Sequence, residues 1–144
     1  VRKGFYVHPR GVRVKRSYGF IYNSIFQLSK ISDRLNDTLV GKTIYLADYQ
    51  PIELKSWSKN IQKNLKTKPV KEVPMQVFKI VAKLGDILKI FGYKNPPMST
   101  FRLNNMLTPM EHDIKPLKNY CENIPYSTNE GVRITCEWLL THKK

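Results

Sequence analysis

The sequence predicts an α/β fold that is mostly helical and carries only a few short strands. Apolar residues recur at helical spacing in several segments, and two short stretches are rich in β-branched and aromatic residues. The length of 144 residues fits one domain, so residues 1–144 are assigned to a single unit. The hydrophobic content of 41% is enough for a core and excludes a disordered tail.

The N-terminal part is predicted to alternate between extended segments and one helix. Residues 1–14 are expected to be extended with a turn at "HPRG", and residues 17–22 to form a strand. A helix is predicted over 23–36, followed by a second strand over 41–48 after a turn glycine. The helical spacing rests on four apolar residues, Ile25, Leu28, Ile31 and Leu35.

Two longer helices are predicted in the middle of the chain, at 53–65 and at 74–91, with a loop between them. Proline is favoured in the first turn of a helix, which suits Pro74, and glycine ends a helix well, which suits Gly92. The apolar stripe of the first helix consists of Leu54, Trp57, Ile61 and Leu65.

The C-terminal part is predicted to hold three further helices. Ser99 or Thr100 is expected to cap a short helix, "FRLNNML", and another short helix is expected at 114–121. Ser127 and Glu130 have the spacing of a capping box, so the last helix starts there. The tryptophans on the apolar stripes, Trp57 and Trp138, are expected in the core.

Charge and cysteine content limit the partners that we expect. The net charge is +14, but the lysines are spread along helices and no nucleic-acid motif is present, so nucleic acid is an unlikely partner. No apolar run approaches the ~18 residues that span a bilayer, so no membrane partner is expected. Cys121 and Cys136 match no metal or redox motif, which favours reduced thiols and a cytoplasmic location.

No assembled catalytic site is visible in the sequence. The seven glycines form neither a dinucleotide fingerprint nor a phosphate loop. None of the eight tyrosines is followed four residues later by lysine, and no serine lies in a nucleophile elbow. The three histidines are scattered, so no metal site is expected. We therefore predict no catalytic or metal-binding residue and no activity for this chain alone.

Four segments, in this order, resemble a known family. They are "KRSYGFIYNSIFQL", "GKTIYLADYQPIELKSW", "STFRLNNM" and "IPYSTNEGVRITCEWL". Together they resemble the C-terminal part of the extended short-chain dehydrogenases/reductases, the NAD-dependent nucleotide-sugar epimerase/dehydratase family. At Ser17, Tyr22 and Asn23 the acidic residues common in that family are missing, which leaves the related sterol dehydrogenases as an alternative.

The resemblance implies a substrate-binding lobe that lacks most of the Rossmann domain. The glycine-rich loop for NAD or NADP and the catalytic Tyr-x-x-x-Lys would lie upstream of Val1, in a longer protein, and this chain alone would bind no cofactor. The face left by the missing domain would be apolar and would favour self-association. The competing hypothesis is a free-standing basic module for nucleic acid or another polyanion.

The resemblance also implies the site residues. Arg16 and Arg102 match two arginines that hold the diphosphate of the nucleotide sugar, for which the planar guanidinium is suited. Both are expected to point into one cleft. Tyr18 is a candidate to stack on the base, and Asn105 to line the pocket. The alternatives are surface arginines, a packed tyrosine and, for Lys15, a side chain that faces solvent.

Overall fold

The computed structural model describes residues 6–34, 39 and 41–142, and about half of the chain is helical. This confirms an α/β fold with a few short strands in two small sheets. The elements in chain order are β1 (Val7–Pro9), β2 (Lys15–Arg16), α1 (Ile21–Ser32), β3 (Ile52–Glu53), α2 (Leu54–Leu65), β4 (Lys71–Val73), α3 (Met75–Ile90), α4 (Thr100–Leu107), α5 (Lys115–Lys118) and α6 (Thr128–Thr141).

Within the described residues, each of the two sheets has two strands. β1 and β4 are parallel, with Val7 opposite Lys71, and β2 and β3 are antiparallel, with Lys15 opposite Glu53. Neither β3 nor β4 was predicted, because both are very short and are defined by partners far away in sequence. A two-stranded sheet is marginal by itself, so the helices packed around the sheets must stabilise them.

One core cluster lies between α2 and α6. Leu65 of α2 packs against Val132 and Cys136 of α6, with Trp57 and Ile61 at its edge. Trp57, Ile61 and Leu65 of the predicted stripe therefore pack as expected, whereas Leu54 lies outside this cluster. The capping box at the start of α6 is also confirmed, since Ser127 and Glu130 each bond to the other's backbone N–H.

A second core cluster holds the inner face of α3 against α4. Phe78 and Ala82 of α3 pack on Leu103 of α4. Gly85 lets α3 approach the loop between α3 and α4 closely, since a Cβ there would lie 1.7 Å from the carbonyl oxygen of Met98. The predicted end of α3 is confirmed at Gly92, whose φ of +88° is in the left-handed region that glycine favours.

The two strands predicted from apolar runs are wrong. Residues 17–20 and 42–48 have no regular structure, and α1 already begins at Ile21. The two segments instead meet through one backbone bond, from the N–H of Asp48 to the carbonyl of Tyr18 at 2.6 Å, and one side-chain bond. In the latter, the carboxylate of Asp48 accepts from the N–H of Phe20 at 3.3 Å, which replaces a sheet bond.

Helix α1 overlaps the predicted range but begins two residues earlier, and two residues of its predicted apolar stripe face solvent. Ile25 and Leu28 are 56% and 57% exposed, while the polar side chains of Asn23 and Gln27 are fully buried. Leu35, the last residue of the predicted stripe, lies outside the described residues.

The remaining expectations have mixed outcomes. Trp57 packs on the first cluster as predicted, whereas Trp138 is 56% exposed and stacks on His142, so its assignment to the core was wrong. Cys121 and Cys136 are both free thiols in buried positions. Among the described helices, none is long and apolar enough to cross a bilayer.

Candidate functional site

Strand β2 places Arg16 against the C-terminal end of α4. Its Nη2 donates to the carbonyl oxygen of Asn105 and, at 3.4 Å, to that of Thr108. The Nε of Arg16 is buried and has no hydrogen-bond partner in the described part of the chain. A cation beside the free carbonyls of a helix end is favourable, so Arg16 ties β2 to α4.

Arg102 lies near the other end of the same helix. Its Nη1 donates to the carbonyl oxygens of Pro96 at 2.8 Å and Pro97 at 3.4 Å, just before α4 begins. An eight-residue helix is about 12 Å long. The structure thus brings Arg16 to the backbone of Asn105 and gives Arg102 partners at the opposite end of α4. Binding of a diphosphate by both stays a prediction.

The ring of Tyr18 lies on the indole of Trp57, with ring centroids 5.5 Å apart. Burial, and to a lesser extent the charge of Asp48, raise the pKa of the Tyr18 hydroxyl. Packing of this ring, the alternative considered for it, is therefore observed. The contact of Asn105 in this region is made by its backbone carbonyl, and the residue is exposed.

A buried polar network around Asp48 was not anticipated from the sequence. The amide nitrogen of Asn23 donates to Asp48 and to the carbonyl of Tyr126, both at 2.9 Å, and its oxygen accepts from the N–H of Tyr126 at 3.0 Å. Gln27 donates to the carbonyl of Ala47 at 2.8 Å. The spacing of four residues between Asn23 and Gln27 was the available signal, since it places both on one helix face.

The carboxyl group of Asp48 is buried without a full set of hydrogen bonds from the described residues. The residue is only 3% exposed, and its Oδ2 has no hydrogen-bond partner within the described residues. Burial raises the pKa of this carboxyl, against the bonds from Asn23 and Phe20 that lower it. Asp48 borders a cavity of about 340 Å³ that Tyr126 and Ser127 also line. Because the Asp48 carboxyl is desolvated and one of its oxygens has no hydrogen-bond partner among the residues described, it is a candidate functional group.

A larger cavity lies between β2 and the start of α2, and we name it the basic groove. Its volume is about 620 Å³, within the usual range for small-molecule sites. It is lined by Gly11, Val12, Arg13, Lys15, Glu53, Lys55, Ser56 and Lys59. Side chains alternate along a strand, so Lys15 faces the groove while Arg16 faces α4.

The electrostatics of the basic groove favour an anion. It has four cationic side chains and one carboxylate, that of Glu53. Glu53 already accepts from the backbone N–H groups of Lys55 and Ser56 at the start of α2. Lys55 pairs with Glu72 at 2.8 Å. Within the described residues, no carboxylate lies within salt-bridge distance of the other three cations, Arg13, Lys15 and Lys59.

The groove was only partly predictable from the sequence. Lys15 was expected to face solvent, and it is exposed, yet it also lines the cavity. Among the described residues, no three His, Cys, Asp or Glu side chains come together as a metal site. Comparison with protein-family models, curated proteins and solved structures finds no match, so the family resemblance stays a hypothesis.

Proposed function

We propose that this chain is the substrate-binding portion of an NAD(P)-dependent nucleotide-sugar epimerase or dehydratase, and that it holds the substrate's diphosphate in the basic groove. The cluster of cations in a cavity of about 620 Å³ is the observation that carries this proposal. Hydride transfer and cofactor binding are assigned to a separate N-terminal domain, since no residue of this chain is assigned to either.

The groove has the chemical groups that a diphosphate requires. The guanidinium of Arg13 offers a planar pair of donors, and Lys15 and Lys59 add two point charges. The first N–H groups of α2 and the hydroxyl of Ser56 already donate to Glu53, so recognition falls to these side chains. Arg16 and Arg102 remain second candidates, because binding a phosphate would require them to give up carbonyl partners.

Exposed apolar residues on α1 support the presence of a further domain. Ile21, Tyr22, Ile25 and Leu28 are all more than half exposed on this one helix. Isolated apolar residues on a surface are normal, but a contiguous group marks a contact face. The parallel pair of β1 and β4 also fits the edge of a larger sheet, because parallel sheets are rarely this small.

The second candidate function is a basic module that binds a polyanion such as RNA. The net charge of +14 favours it, and the same groove would serve. The two functions differ in ligand size and in salt dependence. A nucleotide sugar meets only the few cations of the groove, whereas a polymer neutralises many and binds with a steep salt dependence.

Calorimetric titration of the chain with UDP-glucose, NAD and an RNA homopolymer separates these functions. We expect UDP-glucose to bind and NAD to bind only weakly. Lys15→Gln and Lys59→Gln should each weaken UDP-glucose binding about tenfold or more, because a hydrogen bond to a charged group contributes ~1.5–3 kcal/mol. Lys83→Gln on α3 removes the same charge outside the groove and should change little.

Two results would contradict the proposal. Binding of the RNA homopolymer with a steep salt dependence, together with no binding of UDP-glucose, would establish the polyanion module. Equal loss of UDP-glucose binding in Lys15→Gln and Lys83→Gln would show a general charge effect rather than a site in the groove.

A further inference from the structure

Helix α3 exposes a continuous apolar surface, which we name the outer face. It consists of Val77, Ile80, Val81, Leu84, Ile87, Leu88 and, just after the helix, Phe91. At 100° per residue these side chains fall within an arc of roughly 120°. Their exposed fractions range from 42% to 83%. Scattered apolar residues need no explanation, but seven on one face mark a contact surface.

The outer face is fixed in its outward orientation. On the opposite side of α3, Phe78 and Ala82 are buried against α4, and Gly85 touches the loop at Met98. The carboxylate of Asp86 accepts from the N–H of Thr100 at 3.2 Å, which fixes the rotation of α3 relative to α4. The helix therefore cannot bury its outer face by rotating without losing its inner contacts.

Other large apolar side chains at the end of α3 and in α4 are also exposed. Ile90 and Phe91 are each 83% exposed. Phe101 follows Thr100, which Asp86 holds beside α3, and it is 70% exposed. Large aromatic and aliphatic side chains of this kind are the ones that enter the boundary between lipid head groups and acyl chains.

Charge determines which partner suits this face. Within α3, Lys79, Lys83 and Lys89 stand against one acidic residue, Asp86. The whole chain carries a net charge of +14. A second copy would bring together two chains that each carry this positive charge, whereas a surface of anionic lipids would complement it.

We propose that the outer face of α3 binds the surface of a bilayer that contains anionic lipids, with the helix lying in the plane of the interface. The absence of a spanning helix among the described residues is compatible with this, because an interfacial helix does not cross the bilayer. The expectation that no membrane takes part rested on spanning segments alone. This inference is independent of the proposed nucleotide-sugar function.

Co-sedimentation with vesicles tests the proposal. The 144-residue chain is mixed with phosphatidylcholine vesicles, with or without one-third phosphatidylglycerol, at low and high salt. We expect binding to the anionic vesicles, and weaker binding to neutral ones or at high salt. Leu84→Glu should reduce binding tenfold or more. Leu140→Glu on α6 is the matched control, since Leu84 and Leu140 are 54% and 46% exposed.

Circular dichroism shows whether both variants are folded, and sedimentation velocity measures self-association in the same samples. Loss of vesicle binding in Leu84→Glu with retention in Leu140→Glu supports the proposal. No binding to anionic vesicles overturns it, and a dimer abolished only by Leu84→Glu would then identify a second copy as the occupant. Equal binding by both variants and the wild type would also overturn it, because the contact would lie elsewhere.

Discussion

Replacing Gly85 by alanine tests whether α3 packs closely on the loop at Met98, and therefore which face of α3 is exposed. Gly85 lies inside the helix, so helix propensity alone predicts that alanine stabilises the protein by ~1 kcal/mol. The structure predicts the opposite. A Cβ at this position would lie 1.7 Å from the carbonyl oxygen of Met98 and 2.9 Å from its carbonyl carbon.

The expected loss of stability follows from the backbone shift that alanine at position 85 would require. Non-bonded carbon contacts are most favourable near 3.5 Å, so α3 and the Met98 loop must separate by roughly 2 Å. The obstruction is backbone, which cannot change rotamer, and the shift would loosen the contact of Phe78 with Leu103. Overpacking of this kind costs about 1–3 kcal/mol, and we expect a net loss of ~2 kcal/mol.

Urea denaturation measures this loss, with an unchanged m-value showing that the unfolded state is unaffected. Two controls accompany it. Lys83→Ala, on the exposed side of α3, should change the free energy of unfolding by less than ~0.5 kcal/mol. Gly131→Ala should cost less than Gly85→Ala, because its Cβ would meet the Phe20 ring at 2.8 Å, and a side chain can shift. A Gly85→Ala variant more stable than the wild type would refute this close packing of α3 on the loop at Met98.

Three further predictions concern stability and are also measured by urea denaturation. Asn23→Ala should cost ~3 kcal/mol, because it removes bonds to both Asp48 and Tyr126 in a buried position, and a loss below ~1 kcal/mol would contradict the network. Asp48→Asn should gain stability relative to the wild type as pH rises from 3 to 7. The raised pKa of Asp48 means that its contribution to folding is present below its unfolded value of ~3.8 and is lost as the pH passes its folded value. A pH-independent difference would contradict this. Glu130→Ala should cost ~1 kcal/mol by removing half of the capping box with Ser127, whereas no loss would show that the box contributes nothing.

Helical spacing predicted where helices lie better than which side of them is buried. In α2 the stripe from Trp57 to Leu65 was correct, because its partner α6 lies in the same chain. In α1 the same spacing identified the helix, but Ile25 and Leu28 face solvent. Apolar spacing marks a contact face without saying whether the partner belongs to this chain.

Contacts between distant residues explain most of the errors. β4 depends on pairing with β1 more than sixty positions away, and nothing in "KEV" itself indicates a strand. The network of Asn23 and Asp48 likewise joins residues 25 positions apart, so the local sequence did not predict the burial of these polar side chains. At the groove, the sequence indicated a cation on β2 but not which of the two neighbours, Lys15 or Arg16, faces the cavity.

The measurement that tests the central claim most directly is an NMR titration of the isotope-labelled chain with UDP-glucose. The amide signals that shift reveal the binding surface without relying on any variant. Binding in the basic groove predicts saturable shifts at residues 11–15 and 53–59, with little change along α4. Shifts confined to the region of Arg102, or no shifts at millimolar ligand, would contradict the proposal that this groove holds a nucleotide diphosphate.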